Sequence, residues 1–298
     1  MSTALLLDSL VRTVQVGSLY ALMAIGLTLT MAVLRLPNFA HAEFITIGAY
    51  AALIFSIYVT ANPLAVMLAA FIVAGLIAVL SNRLVFRPLE KLKPSMYTLI
   101  LASFALGLIL RYIVFLVVDR YDLFDKRIDV PVIVWVQNEN LILTNIFFWV
   151  VAMSVVLVLL FSLLLNYTSL GREMRALADN AMLARVIGVP VQRIHNLTWL
   201  LAGGTAGVAG ALWGIYTWVN PLVGWLAILS VFAAVVLGGM TSISGAILGA
   251  YVVAFAENTV MQGLNQWIGL DFSFKPAIPF VIIIIVLLLR PQGLRRAE

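Results

Sequence analysis

Residues 63–84, PLAVMLAAFIVAGLIAVLSNRL, form an apolar run whose one charged residue, Arg83, stands near its end. About 20 mostly apolar residues in a helix cross the hydrocarbon core of a bilayer, so this run is long enough to span a membrane. A spanning segment must satisfy its backbone polar groups internally, and a continuous apolar run does so as an α-helix. The run therefore predicts a transmembrane helix.

The same pattern recurs along the chain and predicts an all-α, polytopic integral membrane protein. The other apolar segments are 16–34, 42–60, 95–118, 144–166, 195–219, 222–240, 243–262 and 276–290. Some of these segments could be broken or re-entrant, so we expect eight or nine transmembrane helices. We expect a single transmembrane domain over 1–298, with a first group of spans over 15–166, a polar loop over 167–193 and a second group over 194–298.

Composition supports this class and excludes others. Of 298 residues, 63% are hydrophobic and 10% are charged, and the mean hydropathy is +1.10. An ordinary globular domain is about one quarter charged. The chain has no cysteine and two histidines, His41 and His195, which excludes disulfides, thiolate nucleophiles and multi-histidine metal centres. We expect no catalytic residue, cofactor, metal site or nucleic-acid partner. In residues 1–14, Asp8 and Arg12 interrupt the apolar run, which predicts a short interfacial helix or a loosely ordered arm.

Basic residues predict the orientation in the membrane. They cluster at the ends of spans, in three groups: Arg83, Arg87, Lys91 and Lys93; Arg172, Arg175, Arg185 and Arg193; Arg290, Arg295 and Arg296. Loops rich in Lys and Arg remain in the cytoplasm, whereas the acidic 119–143 loop belongs outside. This places the N-terminus outside, and 167–193 and the C-terminus in the cytoplasm.

A weak internal repeat is also visible. Gly48-Ala49-Tyr50 recurs 201 positions later as Gly249-Ala250-Tyr251, and Pro37-Asn38 then aligns with Gly238-Gly239. A match this short can arise by chance within apolar sequence. If it is real, each half contains a helix, a break and a second helix, with a substrate near the interface between the halves.

The segment RLPNFAHAE, residues 35–43, places polar groups inside apolar surroundings. Pro37 should end one helix, and Asn38 is a good cap for the next. Asn38 and His41 would share a face, with Glu43 pointing elsewhere. Ionisable groups at membrane depth usually face a bundle interior or a wet cavity, so these three residues are candidates for a substrate path. The alternative is a polar loop at the cytoplasmic interface.

Two further ionisable residues lie within predicted spans. Glu257 could face a translocation path or extend to the outer membrane surface. Arg111 lies deep in 95–118 and needs a carboxylate or a helix C-terminus. Its candidate partners are Asp119, Glu43 and Glu257, and a structural ion pair is the expected role.

Glycine forms a smooth face on the predicted helix 195–219. Gly203, Gly207, Gly210 and Gly214 recur at i, i+4, i+7 and i+11. Small residues let helices approach closely in lipid, so this face predicts tight packing. Sliding or hinging during transport is the functional alternative.

The polar loop SLGREMRALADNAMLARVIGVPVQR, residues 169–193, predicts one amphipathic helix from about Glu173 to Val186 or Ile187. Gly188 followed by Pro190 makes a typical helix stop. Such a helix could lie in the lipid headgroups.

The chain resembles the membrane permease subunits of branched-chain amino acid ABC importers, the LivH type. The resemblance rests on GSLYALMAIGLTLTMAVLRLPNFAHAEFITIGAY (17–50), on 171–210 and 238–257, and on Arg290-Pro291-Gln292-Gly293-Leu294. One departure is Ala42, where the family usually has Gly.

The resemblance implies that 172–188 is a cytoplasmic coupling helix that docks on an ATPase. The residues at the family's positions are Arg175, Ala176, Asn180, Ala184 and Gly188. This chain has no Gly-x-x-x-x-Gly-Lys-Ser/Thr loop to hold phosphates, so ATP hydrolysis is expected on separate subunits. The implied partners are a second permease subunit, two cytoplasmic ATPases and an extracytoplasmic substrate-binding protein, in a prokaryotic plasma membrane.

The sequence therefore predicts the permease subunit of an importer for branched-chain or related amino acids, with Asn38, His41, Glu43 and Glu257 along the substrate path. The main alternative is an ion-coupled secondary carrier of amino acids, urea or amides, which broken helices and buried glutamates would suit. Such a carrier does not need the polar 172–188 helix. A membrane enzyme is disfavoured, since the chain has no His-Glu-x-x-His motif and no Gly-x-Ser-x-Gly elbow.

Overall fold

The computed structural model describes residues 3–138 and 141–289, and these are mostly helical. The helices are α1 (Thr3–Leu34), α2 (His41–Tyr58), α3 (Pro63–Ser81), α4 (Arg87–Glu90), α5 (Met96–Arg120), α6 (Asn145–Tyr167), α7 (Ser169–Asp179), α8 (Ala181–Val186), α9 (Val191–Tyr216), α10 (Val223–Gly238), α11 (Ile243–Phe255), α12 (Met261–Ile268) and α13 (Ala277–Leu289). π-helical turns at Asn82–Phe86 and Ala256–Val260 join α3 to α4 and α11 to α12. The C-terminal basic group and the 290–294 block lie outside the described residues.

Long apolar helices dominate the fold, as expected for a multi-pass membrane protein. Within the described residues, seven stretches are long and apolar enough to cross a bilayer: Leu5–Leu34, His41–Tyr58, Pro63–Glu90, Met96–Arg120, Asn145–Tyr167, Val191–Tyr216 and Ile243–Ile268. Two shorter apolar helices are Val223–Gly238 and Ala277–Leu289. Every apolar segment assigned from the sequence therefore forms helix over most of its described length.

Two local expectations are wrong. α1 begins at Thr3 and continues into the first span, so the N-terminal residues form neither a separate interfacial helix nor a loose arm. Asp8 and Arg12 do not interrupt it, because they form an i,i+4 ion pair of 2.9 Å on one helix face.

The second error concerns the all-α assignment, since the loop before α6 contains a short antiparallel hairpin. Its strands are β1 (Val134–Asn138) and β2 (Leu141–Thr144), with Val134 opposite Thr144. The segment 130–136, VPVIVWV, is rich in β-branched residues, which pack well on a pleated surface. Asn145 closes the base of the hairpin, because its side chain accepts from the Ile133 amide and donates to the Pro131 carbonyl.

α1 and α9 form the centre of the bundle. The most apolar part of α1 is 94% buried within the protein, whereas the equivalent figure for α6 is 17%. α9 packs on α2 and α3, and α1 packs on α9 and α11. α5 and α6 are therefore peripheral helices whose apolar outer faces are suited to lipid or to another subunit.

Glycine allows the central helices to approach closely, as the sequence predicts. A Cβ placed on Gly48 of α2 would overlap the backbone of Gly207 on α9, and one on Gly210 would overlap the Ile45 carbonyl. Gly203 packs in the same way against Ala74 and its neighbours on α3. The glycine face is thus a packing surface shared by α2 and α3.

The helix–break–helix pattern occurs twice. α1 and α2 flank a break at 35–40, and α10 and α11 flank a break at 239–242. Three of the four aligned residues lie in the breaks, Pro37 and Asn38 in the first and Gly239, with φ 94°, in the second. The fourth, Gly238, is the last residue of α10. α1 packs on α11 while α10 packs on α2, so each first helix contacts the second helix of the other pair.

Candidate functional site

The break between α1 and α2 is held by specific hydrogen bonds. The Ala40 amide donates to Asn38 Oδ1 over 3.1 Å, so Asn38 satisfies a backbone donor within the break. The cap position of α2 is Ala40 and not Asn38, which corrects the prediction. The Phe39 amide donates to Ser103 Oγ on α5 over 3.1 Å. The break is therefore an ordered feature braced by a neighbouring helix.

Asn38, His41 and Glu43 are fully buried within the bundle, so none of them is a side chain of an exposed polar loop. His41 Nε2 lies 2.9 Å from the Met23 carbonyl of α1, which only accepts, so Nε2 carries the hydrogen. The ring sits against α1 at Gly26, where a Cβ would overlap it. Glu43 points the other way, toward α5.

Glu43 forms the most buried ion pair among the described residues. Its Oε1 accepts from Arg111 Nε over 3.0 Å and from Arg111 Nη2 over 2.6 Å. The Arg111 guanidinium lies 4.2 Å from the centre of the Trp225 ring, a cation–π contact. Of the three partners considered for Arg111, the structure selects Glu43. The pair joins α2 and α5, and Trp225 brings α10 to the same point.

Aromatic side chains flank this ion pair. Phe39 stacks on Phe232 of α10 at 4.7 Å between ring centres, and Phe104 of α5 meets Trp225 edge-on at 6.1 Å. Phe104 and Trp225 keep more than a third of their surface exposed. Sequence reasoning missed Trp225 and Phe104, because no local pattern relates residues so far apart along the chain.

Each residue predicted for the substrate path near the break retains an unsatisfied polar atom. Within the described residues, Asn38 Nδ2, His41 Nδ1 and Glu43 Oε2 are buried without a hydrogen-bond partner. A buried unpaired polar group typically costs about 1–3 kcal/mol. Each of these atoms is therefore available to a polar ligand.

Glu257 lies in the π-helical turn after α11 and is almost completely buried, so it does not extend to the outer surface. Its Oε1 accepts from Ser230 Oγ over 2.5 Å, and its Oε2 accepts from the Tyr20 hydroxyl over 2.8 Å. No hydrogen bond joins it to Asn38, His41 or Glu43. Glu257 and His41 nevertheless both contact α1, at Tyr20 and at Met23, about one helical turn apart.

Glu257 borders a polar cavity of ≈ 260 Å³ that also involves Asp8, Arg12 and Lys275. Lys275 Nζ donates to Asn258 Oδ1 over 3.0 Å. Burial lowers the pKa of Lys275, and the carboxylate of Glu257 opposes that shift. Among residues 3–138 and 141–289, no group of three His, Asp or Glu side chains could hold a metal ion.

The predicted coupling segment contains two helices, so the single helix over 172–188 is wrong. α7 ends at Asp179, and Asn180 adopts an extended backbone with φ −151°. The Asn180 side chain accepts from the amides of Met182 and Leu183 over 3.0 and 3.1 Å, which caps α8. Asn prefers this position to a helix interior because its side chain competes for backbone groups. The stop at Gly188, where φ is 87°, is as predicted.

The residues that the resemblance assigns to coupling differ in exposure. Arg175, Asn180 and Gly188 are exposed, Ala176 is half-buried and Ala184 is buried. Ala184 belongs to an apolar cluster with Met174, Leu177, Val33, Val191 and Ile194, which anchors both short helices.

The other face of α8 presents apolar side chains to the surroundings. They are Met182, Leu183, Val186 and Ile187, and Met182 and Val186 are 80% and 82% exposed.

Arg35 links the predicted coupling segment to the break. Its guanidinium Nη2 donates to the Ala178 carbonyl over 2.9 Å and more weakly to the Asp179 carbonyl. These carbonyls end α7 and have no partner within that helix, so a cation is favourable there. The end of α7 is thereby tied to a residue three positions before Asn38.

Comparison with known proteins shows the family to which the chain belongs. A family model described as branched-chain amino acid transport system / permease component matches residues 9–288. A probable branched-chain amino acid transport permease protein LivH of Methanocaldococcus jannaschii is 31% identical over 289 residues, covering 93% of this chain and 89% of that protein. The high-affinity permease proteins LivH of Escherichia coli K12 and BraD of Pseudomonas aeruginosa are 28% and 30% identical, each over 97% of this chain and over 94% and 95% of their own lengths. The chain therefore belongs to the family of permease components of branched-chain amino acid transport systems.

Proposed function

We propose that the chain is the transmembrane permease subunit of an ATP-driven ABC importer for branched-chain or related amino acids. It crosses a prokaryotic plasma membrane eight or nine times, with 167–193 and the C-terminus in the cytoplasm. It pairs with a second permease, two ATPases bind from the cytoplasm, and an extracytoplasmic binding protein delivers the substrate. Family membership supports the transport role, and the helices support the membrane location.

The observation that carries the coupling role is the exposed apolar face of α8. Met182, Leu183, Val186 and Ile187 project from a segment whose other exposed residues are mostly polar or basic. Exposed apolar patches rimmed by polar residues mark interaction sites. Because α7 is anchored in the bundle by Met174 and Leu177, α8 is held as a firm surface for an ATPase.

A displacement of the ATPases can be transmitted to the substrate path through Arg35. A displaced α7 would pull on Arg35 through the Ala178 carbonyl, and Arg35 lies in the same break as Asn38. Breaks between helices absorb changes of backbone angle, which is how rigid elements move relative to one another.

We assign the substrate path to Asn38, His41, Glu43 and Glu257, and add Arg111. An amino acid is a zwitterion with an apolar side chain. The Arg111–Glu43 pair supplies both charges, and Phe104 and Trp225 supply an apolar wall. Polar groups inside a membrane bundle are costly and are retained where they serve a pathway.

A charge placed on α8 tests the proposal. The variant is Val186→Asp, and the matched control is Leu92→Asp, which changes an equally exposed apolar residue in the other basic loop. The tagged chain is co-expressed with its partners and purified in mild detergent, and the co-purifying subunits are quantified. We expect Val186→Asp to lose the ATPases and keep the second permease, and Leu92→Asp to keep both.

Retention of the ATPases by Val186→Asp would contradict the docking surface. If the wild-type chain purifies as a homo-oligomer without any ATPase, and its uptake follows an ion gradient, the secondary-carrier alternative holds instead.

A further inference from the structure

A cleft of ≈ 450 Å³ lies beside the coupling segment, between α1, α6, α7 and the start of α11. It is separate from the ion pair at the break and from the outer polar cavity. α6, which forms one wall, is the least buried of the long apolar helices, so the cleft adjoins the periphery of the bundle.

The lining changes from apolar to polar along the helices. Leu29 and Ile247 lie a little more than one turn inside the ends of their helices, and Val158 lies about two and a half turns inside the end of α6. The polar lining residues lie at those ends, with Asn166 in the last turn of α6 and Thr241 before α11. From Val158 to Asn166 the cleft follows α6 for about 12 Å.

Arg175 is the one charged residue among the described lining residues. Its Nη1 donates to the Leu165 carbonyl, and the side chain remains exposed. No carboxylate in the described lining neutralises it. The cleft therefore combines an apolar depth with a cationic mouth at the end of the bundle where α7 lies.

We propose that this cleft binds an anionic phospholipid from the leaflet on the α7 side. The lipid phosphate meets the guanidinium of Arg175, and one acyl chain lies along Leu29, Val158 and Ile247. Basic pockets between transmembrane helices suit anionic lipid headgroups, and an apolar wall that opens to the bilayer suits an acyl chain. Since α7 contributes Met174, Arg175 and Ala178 to the same cleft, the lipid braces the coupling segment against the bundle.

The test uses the purified full chain, native mass spectrometry, and phosphatidylglycerol and phosphatidylcholine with identical acyl chains. We expect the wild type to prefer phosphatidylglycerol about five-fold, the factor that roughly 1 kcal/mol per basic residue near a membrane surface predicts. Arg175→Gln should remove this preference. The matched control Arg172→Gln alters an exposed arginine on the same helix that does not line the cleft, and should keep it.

A second variant tests the apolar part of the cleft without changing charge. Ser162→Phe places a ring in the cleft from the exposed wall of α6 and should weaken the binding of both lipids. Thermal unfolding followed by circular dichroism verifies that each variant is folded. Equal binding of the two lipids by the wild type would overturn the proposal. So would a preference that survives Arg175→Gln, one that is lost equally in Arg172→Gln, or undiminished binding by Ser162→Phe.

Discussion

Removing Arg111 should destabilise the protein strongly, because Glu43 would be left without its partner. The Glu43 side chain is fully buried and that of Arg111 is 11% exposed, so water cannot replace the lost contacts. Breaking a buried ion pair by removing one partner costs about 3–5 kcal/mol. Glutamine keeps part of the volume and one donor group. We therefore expect Arg111→Gln to lower the free energy of unfolding by about 3 kcal/mol, the lower end of that range.

The assay is unfolding in mixed micelles by titration with SDS, followed by tryptophan fluorescence and circular dichroism. The matched control is Lys126→Gln, which breaks the pair with Asp122, whose charged atoms lie 3.6 Å apart and whose side chains are 46% and 93% exposed. Exposed pairs are screened by solvent and contribute about 0–1 kcal/mol. The double variant Glu43→Gln with Arg111→Gln should recover most of the loss, since no charge then remains buried.

Two results would refute this reasoning. One is a loss for Arg111→Gln no larger than that for Lys126→Gln, which would mean that the buried pair is not formed. The other is a double variant whose loss equals the sum of the two single losses, which would mean that the two residues do not interact.

Two further predictions concern helix packing and capping. Gly48→Ala should lower the free energy of unfolding by about 1–3 kcal/mol in the same assay, because its Cβ would overlap Gly207. The control Gly263→Ala meets no atom within 4 Å and should be neutral or stabilising. An unchanged free energy of unfolding for Gly48→Ala would contradict the close approach of α2 and α9. Asn180→Ala should speed amide hydrogen exchange in the first turn of α8 about five-fold, as expected for the loss of a cap worth about 1 kcal/mol. The control Asn62→Ala removes the cap of α3 and should leave exchange in the first turn of α8 unchanged. Unaltered exchange in α8 after Asn180→Ala would show that the cap is not formed.

Residues 169–193 show which structural features can be predicted from the sequence and which cannot. Amphipathic spacing predicted a helix in 169–193 and the stop at Gly188. It did not predict the interruption at Asn180, because an Asn in a helical pattern is compatible with both an exposed helical position and a cap. The hairpin before α6 was missed because the acidic residues of 119–143 assigned that segment to a loop. Its two strands, Val134–Asn138 and Leu141–Thr144, are short, and so short a pattern of alternation is a weak signal.

The residues proposed for the substrate path were selected by their chemistry rather than by their contacts. Polar and ionisable residues are conspicuous in an apolar chain, so Asn38, His41, Glu43 and Glu257 could be selected from the sequence. Their surroundings could not, because a residue type does not reveal which helix its side chain faces. The aromatic wall of Phe104 and Trp225 was inconspicuous, since aromatic residues are common in apolar segments.

The sequence by itself determined that the chain is a bundle of membrane-spanning helices with a polar segment between two groups of spans. These are local properties, because the thickness of a bilayer sets the length of an apolar helix. Only the tertiary structure decided that Arg111 pairs with Glu43 and that Glu257 is held by Tyr20 and Ser230. These partners lie 68, 237 and 27 residues apart. They meet because glycine faces allow distant helices to pack closely, and no local pattern specifies which helices will do so.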